Sequence, residues 1–152
     1  MDKFRPNVCI VVRKTGSNLL LVCHRKGFPH NGGWQFPQGG IHKGKELVGE
    51  MKRELREEIG TDNVLVVKIS PRTYSYTFAA GMKRKNDNFV GQIQNWILTE
   101  FSGSDTQINF NRQPAEFDAF EWVEAKEAIE RIVDFKKQVY SLALNDLDLI
   151  DI

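Results

Sequence analysis

The stretch that most constrains this chain runs over residues 39–60, GGIHKGKELVGEMKRELREEIG. Leu47, Val48, Met51, Leu55 and Ile59 recur at helical spacing, which predicts a helix over residues 46–59 with Gly60 as its left-handed stop. The second half of the stretch carries three carboxylates, Glu54, Glu57 and Glu58, within five residues. A helix turns about 100° per residue, so the three share one side, and Glu50 projects onto the same arc. Like charges at that spacing cost a helix about 0.2–0.5 kcal/mol per pair. Either the face is solvated and balanced by Lys52, Arg53 and Arg56, or it holds a hard divalent cation through oxygen ligands. Charge alone does not choose. Position favours the cation, because on a helical wheel the carboxylates border the apolar stripe instead of opposing it.

The chain has 152 residues, 41% hydrophobic and 27% charged, which predicts one domain over residues 1–152 whose core needs no disulfide staples. A net charge of +1 means that any polyanion must be met by a local basic patch. No apolar run is long enough to span a bilayer and no charged-then-apolar leader is present, so a cytoplasmic protein with no membrane partner is expected. Nothing in the sequence bears on oligomeric state. Cys9 and Cys23 sit in apolar runs and are expected as buried, reduced thiols. His24, His30 and His42 have no ligand spacing, and none is assigned to a metal.

Strands are expected over residues 7–12 and 18–23, joined as a hairpin, with a short one at 34–36 that Pro37 ends. Further strands are expected at 63–70, 73–80, 92–101 and 120–123, with a basic, turn-rich tip at 81–88. From 125 to 144 the pattern is helical, with Ile129, Ile132, Val133, Val139, Leu142 and Ala143 as core. Strands, helix, strands and helices in that order predict an α/β fold of the α+β kind, a mixed β-sheet sandwiched between helices.

Gly39, four residues, Gly44 and Lys45 match most of a phosphate-cradling P-loop, but Glu46 stands where that loop needs Ser or Thr, and its charge would repel a triphosphate. A different pattern fits better. Gly39, Arg53, Glu54, Leu55, Glu57, Glu58 and Gly60 coincide in register with the signature box of the Nudix hydrolases, which the chain resembles. Those enzymes cleave a nucleoside diphosphate linked to a further group. Two positions depart: Lys45 replaces the first glutamate of the box, and Thr61 its last apolar residue. Lys45 reverses a charge near Arg53, so the salt bridge there should be missing or taken over by Glu46.

The resemblance implies Mg2+, or Mn2+, held by Glu54, Glu57 and Glu58 with a carbonyl from Gly39, and Glu54 as a possible general base. The chemistry is coherent, since divalent cations screen phosphate charge and lower the pKa of a bound water. Beyond the box, Arg5-Pro6-Asn7-Val8, residues 33–40, Gly91-Gln92-x-Gln94-x-Trp96, Glu116-Phe117-Asp118 and Val133-x-Phe135-Lys136 are similar to the bacterial RNA 5′-pyrophosphohydrolases and the related dinucleoside polyphosphate hydrolases. That similarity implies phosphate contacts from Arg5, Lys26 and Lys136, Gln92 in the pocket, Phe135 stacked on a base, and Glu116 as a further metal ligand or base. Without it, Phe135 would be read as core and the lysines as solvated surface. Arg84, between Lys83 and Lys85, could add backbone contacts. The expected activity is Mg2+-dependent conversion of 5′-triphosphate RNA ends to monophosphates. The alternatives are hydrolysis of a dinucleoside polyphosphate such as diadenosine tetraphosphate, and a Nudix-fold binding module without catalysis, which Lys45 keeps open.

Overall fold

The computed structural model describes residues 3–78, 88–112 and 114–152. Two long strands, β1 (Lys3–Lys14) and β7 (Phe89–Phe101), run parallel through the middle of one mixed sheet, paired from Lys3 with Phe89 to Lys14 with Phe101. Each shares its outer edge between two partners. Along β1, the strand β4 (Gln38–Gly40) pairs with residues 7–9, whereas β2 (Leu20–Arg25) takes over at Arg13. Along β7, β6 (Tyr74–Thr77) pairs with residues 91–94, and β5 (Val64–Ile69) with residues 97–101. β3 (Trp34–Gln35) and β8 (Phe117–Val123) both pair with β2. The sheet therefore forks where β1 changes partner, and the fork places β4 beside the first helix.

Side chains alternate across this sheet as the period of two demands. Val8, Ile10, Val12, Leu21, Cys23, Ile97 and Phe101 face α1 (Leu47–Ile59). Cys9, Val11, Leu20, Val22, Trp96 and Leu98 face the C-terminal helices. The helix-sheet-helix sandwich thus has an apolar layer on each side. Both cysteines are free and buried, one in each layer.

α1 forms where its apolar stripe predicts. Glu46 caps it, accepting hydrogen bonds from the Val48 and Gly49 amides at 3.2 and 2.9 Å, and Gly60 ends it at φ 78°. The helical pattern at 125–144 is not one helix. α2 (Ala125–Arg131) and α3 (Lys137–Asp146) are separated by Ile132 in extended conformation, Val133 outside the helical region at φ -56° and ψ 141°, and a 3-10 turn at Asp134–Lys136. Two consecutive β-branched residues leave the helical form readily. Ile132 keeps its place in the core, while Val133, expected there, is 51% exposed. Of the other expected core positions, Ala143 is buried, and Ile129, Val139 and Leu142 are partly so. Strand 73–80 is described to Phe78, and the basic tip with Lys83, Arg84 and Lys85 lies outside the described residues. No helix among the described residues is long and apolar enough to cross a membrane.

Candidate active site

Because α1 packs through Met51, Leu55 and Ile59, the residues one position before these, Glu50, Glu54 and Glu58, are drawn to the edge of its buried face. All three are nearly buried. Glu57 lies further round, with 31% of its side chain exposed. β4 closes over this edge. The Gln38 amide donates to Glu58 Oε1 at 3.0 Å, and a Cβ added at Gly39 would stand 2.0 Å from Glu54 Cδ. Only glycine lets the strand approach the carboxylate so closely. Glu116, just before β8, reaches the same place, close enough for its carboxyl to act on Glu58.

These carboxylates are not at ease together. Burial pushes Glu58 well above the ordinary range, reinforced by the neighbouring Glu116 carboxyl. Burial also raises Glu54, against the opposing pull of Arg53. Glu50 behaves in the opposite way and is held down at about 2, chiefly by its hydrogen bond to Arg53 and then by the His42 amide.

Arg53 is the cation at the centre of the group. Its Nη2 donates to Glu50 Oε2 at 2.7 Å, Glu54 Oε1 at 2.9 Å and the Gly40 carbonyl at 3.1 Å, and its Nη1 donates to Glu57 Oε2 at 2.9 Å. Arg112 approaches the other oxygen of Glu57 at 3.0 Å. The expectation that the Arg53 salt bridge would be missing or taken over by Glu46 is therefore corrected on both counts: Glu46 is committed to the helix amides, and Glu50 makes the pair.

The donor set suits a hard divalent cation. It offers several carboxylate oxygens and a glycine backbone in contact with one of them. Glu58 Oε2 is buried with no hydrogen-bond partner, an orphaned acceptor of the kind a cation would satisfy. Among the described residues no three acidic, histidine or cysteine side chains are already gathered as a ligand cluster. Arg53 holds oxygens of Glu54 and Glu57 that a cation would otherwise take.

A second rim faces this one across the N-terminal part of β1. Arg5 lies against Gly40, where an added Cβ would be 2.5 Å from its Nη2, and pairs in the sheet with Gln92. Gln92 Oε1 accepts from the Tyr76 hydroxyl at 2.9 Å. Phe135 is 51% exposed and meets Tyr76 edge-on, ring centroids 5.8 Å apart. The Lys136 ammonium sits 5.4 Å from the centre of the Tyr76 ring and 5.7 Å from that of Phe135. Burial lowers its pKa from 10.5, partly offset by Cys9, and the nearby Arg25 lowers it further. Burial pushes the Cys9 thiol well up, and it contacts Asn7 and Gln38 between the two rims. Lys26 is exposed, and its amide donates to the Glu116 carbonyl at 2.9 Å, so the loop that carries it also positions Glu116.

The NUDIX domain family model matches residues 3–143. The chain belongs to the Nudix hydrolase family. The RNA pyrophosphohydrolase of Helicobacter pylori is 36% identical over 139 residues, covering 91% of this chain and 89% of the relative. That of Campylobacter jejuni is 36% identical over 140 residues, covering 90% and 88%. Among solved structures, the E. coli dihydroneopterin triphosphate pyrophosphohydrolase superposes with a TM-score of 0.72 at 18% identity, covering 93% of this chain and 98% of that one. A C. elegans Ap4A hydrolase superposes at 0.65 and 16%, covering 95% of both chains. At these identities the structural matches speak to the Nudix fold alone.

Within this Nudix chain, the box residues and Glu116 meet at one edge of α1, and Arg5, Gln92, Phe135 and Lys136 meet at the facing rim. Neither Tyr76 nor Glu50 was given a site role from the sequence, where Glu50 is placed only on the acidic arc. Tyr76 lies in an alternating run, which places it on a face without saying what the face meets. A cavity of about 530 Å³ lined by Arg13, Glu124, Lys126 and Asp148, among others, is at the far end of β1. It brings together mixed charges, the carboxylates of Glu124, Asp148 and Asp151 beside Arg13 and Lys126.

Proposed function

We propose that this Nudix hydrolase converts 5′-triphosphate ends of RNA to 5′-monophosphates, with Mg2+, or Mn2+, held by Glu54, Glu57, Glu58 and Glu116 and the Gly39 carbonyl. The observation that carries the reading is the exposed Phe135 ring with Lys136 beside it, across β1 from the carboxylate edge. An unpaired 5′ end needs this pairing of an aromatic platform for a base with cations for its phosphates. The names of the bacterial relatives point the same way.

When bound, the cation would screen the phosphate oxygens and make a bound water more acidic. The protein's own part is orientation. Phe135 and Tyr76 receive the first base, which sets how far the phosphate chain reaches. Arg5, Lys26 and Lys136 hold the phosphates, and Gln92 contacts the substrate from the central sheet. Glu54, raised by burial, is placed to take a proton from the attacking water. The water oxygen bonds to phosphorus as the phosphoanhydride oxygen leaves, releasing pyrophosphate in one step or one phosphate in each of two successive hydrolyses. The reading carries with it a cytoplasmic setting and a role in RNA decay.

Turnover of triphosphorylated RNA and of diadenosine tetraphosphate, measured separately with Mg2+, tests the proposal. A higher kcat/KM on RNA is expected. A much higher value on the dinucleotide, with RNA untouched, would overturn the choice of substrate. No Mg2+-dependent turnover on either would favour a binding module.

A further inference from the structure

The box pattern places a glutamate at position 45, where this chain has an exposed Lys45. Arg53 nevertheless has a carboxylate on its loop side. Glu50, 5% exposed, binds it through Nη2 at 2.7 Å and Nε at 3.4 Å. The same Glu50 Oε2 accepts the His42 amide at 3.0 Å and lies 3.4 Å from His42 Nδ1. Arg53 returns to the loop by donating to the Gly40 carbonyl. The contacts close a ring from α1 through Arg53 to Gly40, along the loop to His42, and back to α1 at Glu50. Gly39, against which Glu54 rests, is the next residue to Gly40. A buried carboxylate with a guanidinium and a backbone amide on it is held in one orientation.

We infer that Glu50 is a positioning residue of this site, supplying from within α1 the carboxylate that the box pattern places at position 45, and fixing Arg53 and the loop over residues 39–42 against the cation ligands. The inference rests on the cation reading proposed above. Glu50 need not touch the cation. It holds the partners of the groups that do, and removal of such supporting contacts weakens metal affinity by about 10–100-fold.

The test is Mn2+ affinity without substrate, read by water-proton relaxation on the whole chain. Glu50→Gln keeps the shape and the amide contact but loses the charge. It should bind Mn2+ about 10–100-fold more weakly than wild type. Glu46→Gln, the same charge change outside the ring, should leave the affinity unchanged. Adding Lys45→Glu to Glu50→Gln should recover most of the loss, which a purely structural Glu50 would not allow. Wild-type affinity in Glu50→Gln, or no recovery in the folded double variant, overturns the inference. If the single variant does not fold, the double variant decides alone, by near-wild-type or by weak Mn2+ binding. Binding that survives in Glu50→Gln but is lost in Glu57→Gln overturns this inference and leaves the cation reading standing. A wild type that binds no Mn2+ overturns both.

Discussion

α1 and the segment at 125–146 present similar apolar periodicity, yet one is a single rigid helix and the other is broken. α1 is capped at both ends and fills its face with Met51, Leu55 and Ile59. Its unbroken rise keeps three glutamates in fixed relation. In the second segment Ile132 enters the core in extended conformation, and the chain must restart after it. The restart turns Phe135 out to solvent and Lys136 toward Tyr76. Regularity suits a site that must hold charges at set distances. A break suits the presentation of a ring to an incoming base, which is what the proposed function asks of Phe135.

This contrast can be broken from either side. The largest effect is expected at Glu57→Gln on α1, where loss of a proposed cation ligand should lower turnover by orders of magnitude. Its ion pairs with Arg53 and Arg112 are partly exposed, so thermal denaturation should change little, by about 0–1 kcal/mol. A parallel loss of fold would contradict the separation of site from core. Phe135→Ala comes next. Stacking contributes about 1–3 kcal/mol per base, so KM for RNA should rise roughly 5–150-fold with stability unchanged. Unaltered KM would return Phe135 to the surface. The smallest effect is expected at Lys45→Glu, which should maintain or modestly raise both activity and Tm. A marked fall in both would show that the loop is built around the lysine.

The pH dependence follows from the same carboxylates. Glu54 and Glu58 have folded pKa values above the ordinary 4.5, so the folded protein keeps protons that the unfolded chain has lost. The stability they contribute is complete below that range and is lost as pH rises through the raised values. His24 acts with the same sign higher up. Its Nδ1 meets Asp118 Oδ1 at 2.7 Å and its Nε2 the Pro29 carbonyl at 2.9 Å. Both partners accept, so they favour the ring with a proton on each nitrogen, and the Pro29 carbonyl and then Asp118 raise its pKa. Its contribution is full below 6.5 and fades as pH rises through the folded value. Glu50 has the opposite sign, and its contribution is lost only as pH falls through about 2. Denaturation midpoints of the metal-free protein should therefore fall from pH 4.5 upward, and Mg2+ should restore the carboxylate part but not that of His24. A flat profile without metal would contradict the raised carboxylates.

α1 was legible because spacing and stop agree, and the place of Glu54 and Glu58 beside the apolar stripe pointed to the edge of the buried face. β4 was not, since Gln38-Gly39-Gly40 carries no alternation and its pairing depends on a distant strand and a helix side chain. The parallel pairing of β1 with β7 is equally non-local. The break at Ile132 and Val133 was hidden because apolar spacing continues through it, which led to Val133 being read as core. Glu50 was seen on the acidic arc, but its partner could not be read from a one-dimensional pattern in which Glu46 is nearer to position 45.

The central claim is that the glutamate edge of α1 holds divalent cation while the break before α3 receives the base. Anomalous scattering from crystals grown with Mn2+ and a non-hydrolysable nucleoside triphosphate tests both at once. The account predicts a Mn2+ peak among Glu54, Glu57, Glu58 and Glu116, with the nucleobase against Phe135. A peak remote from those carboxylates, or a base bound away from Phe135, would contradict it.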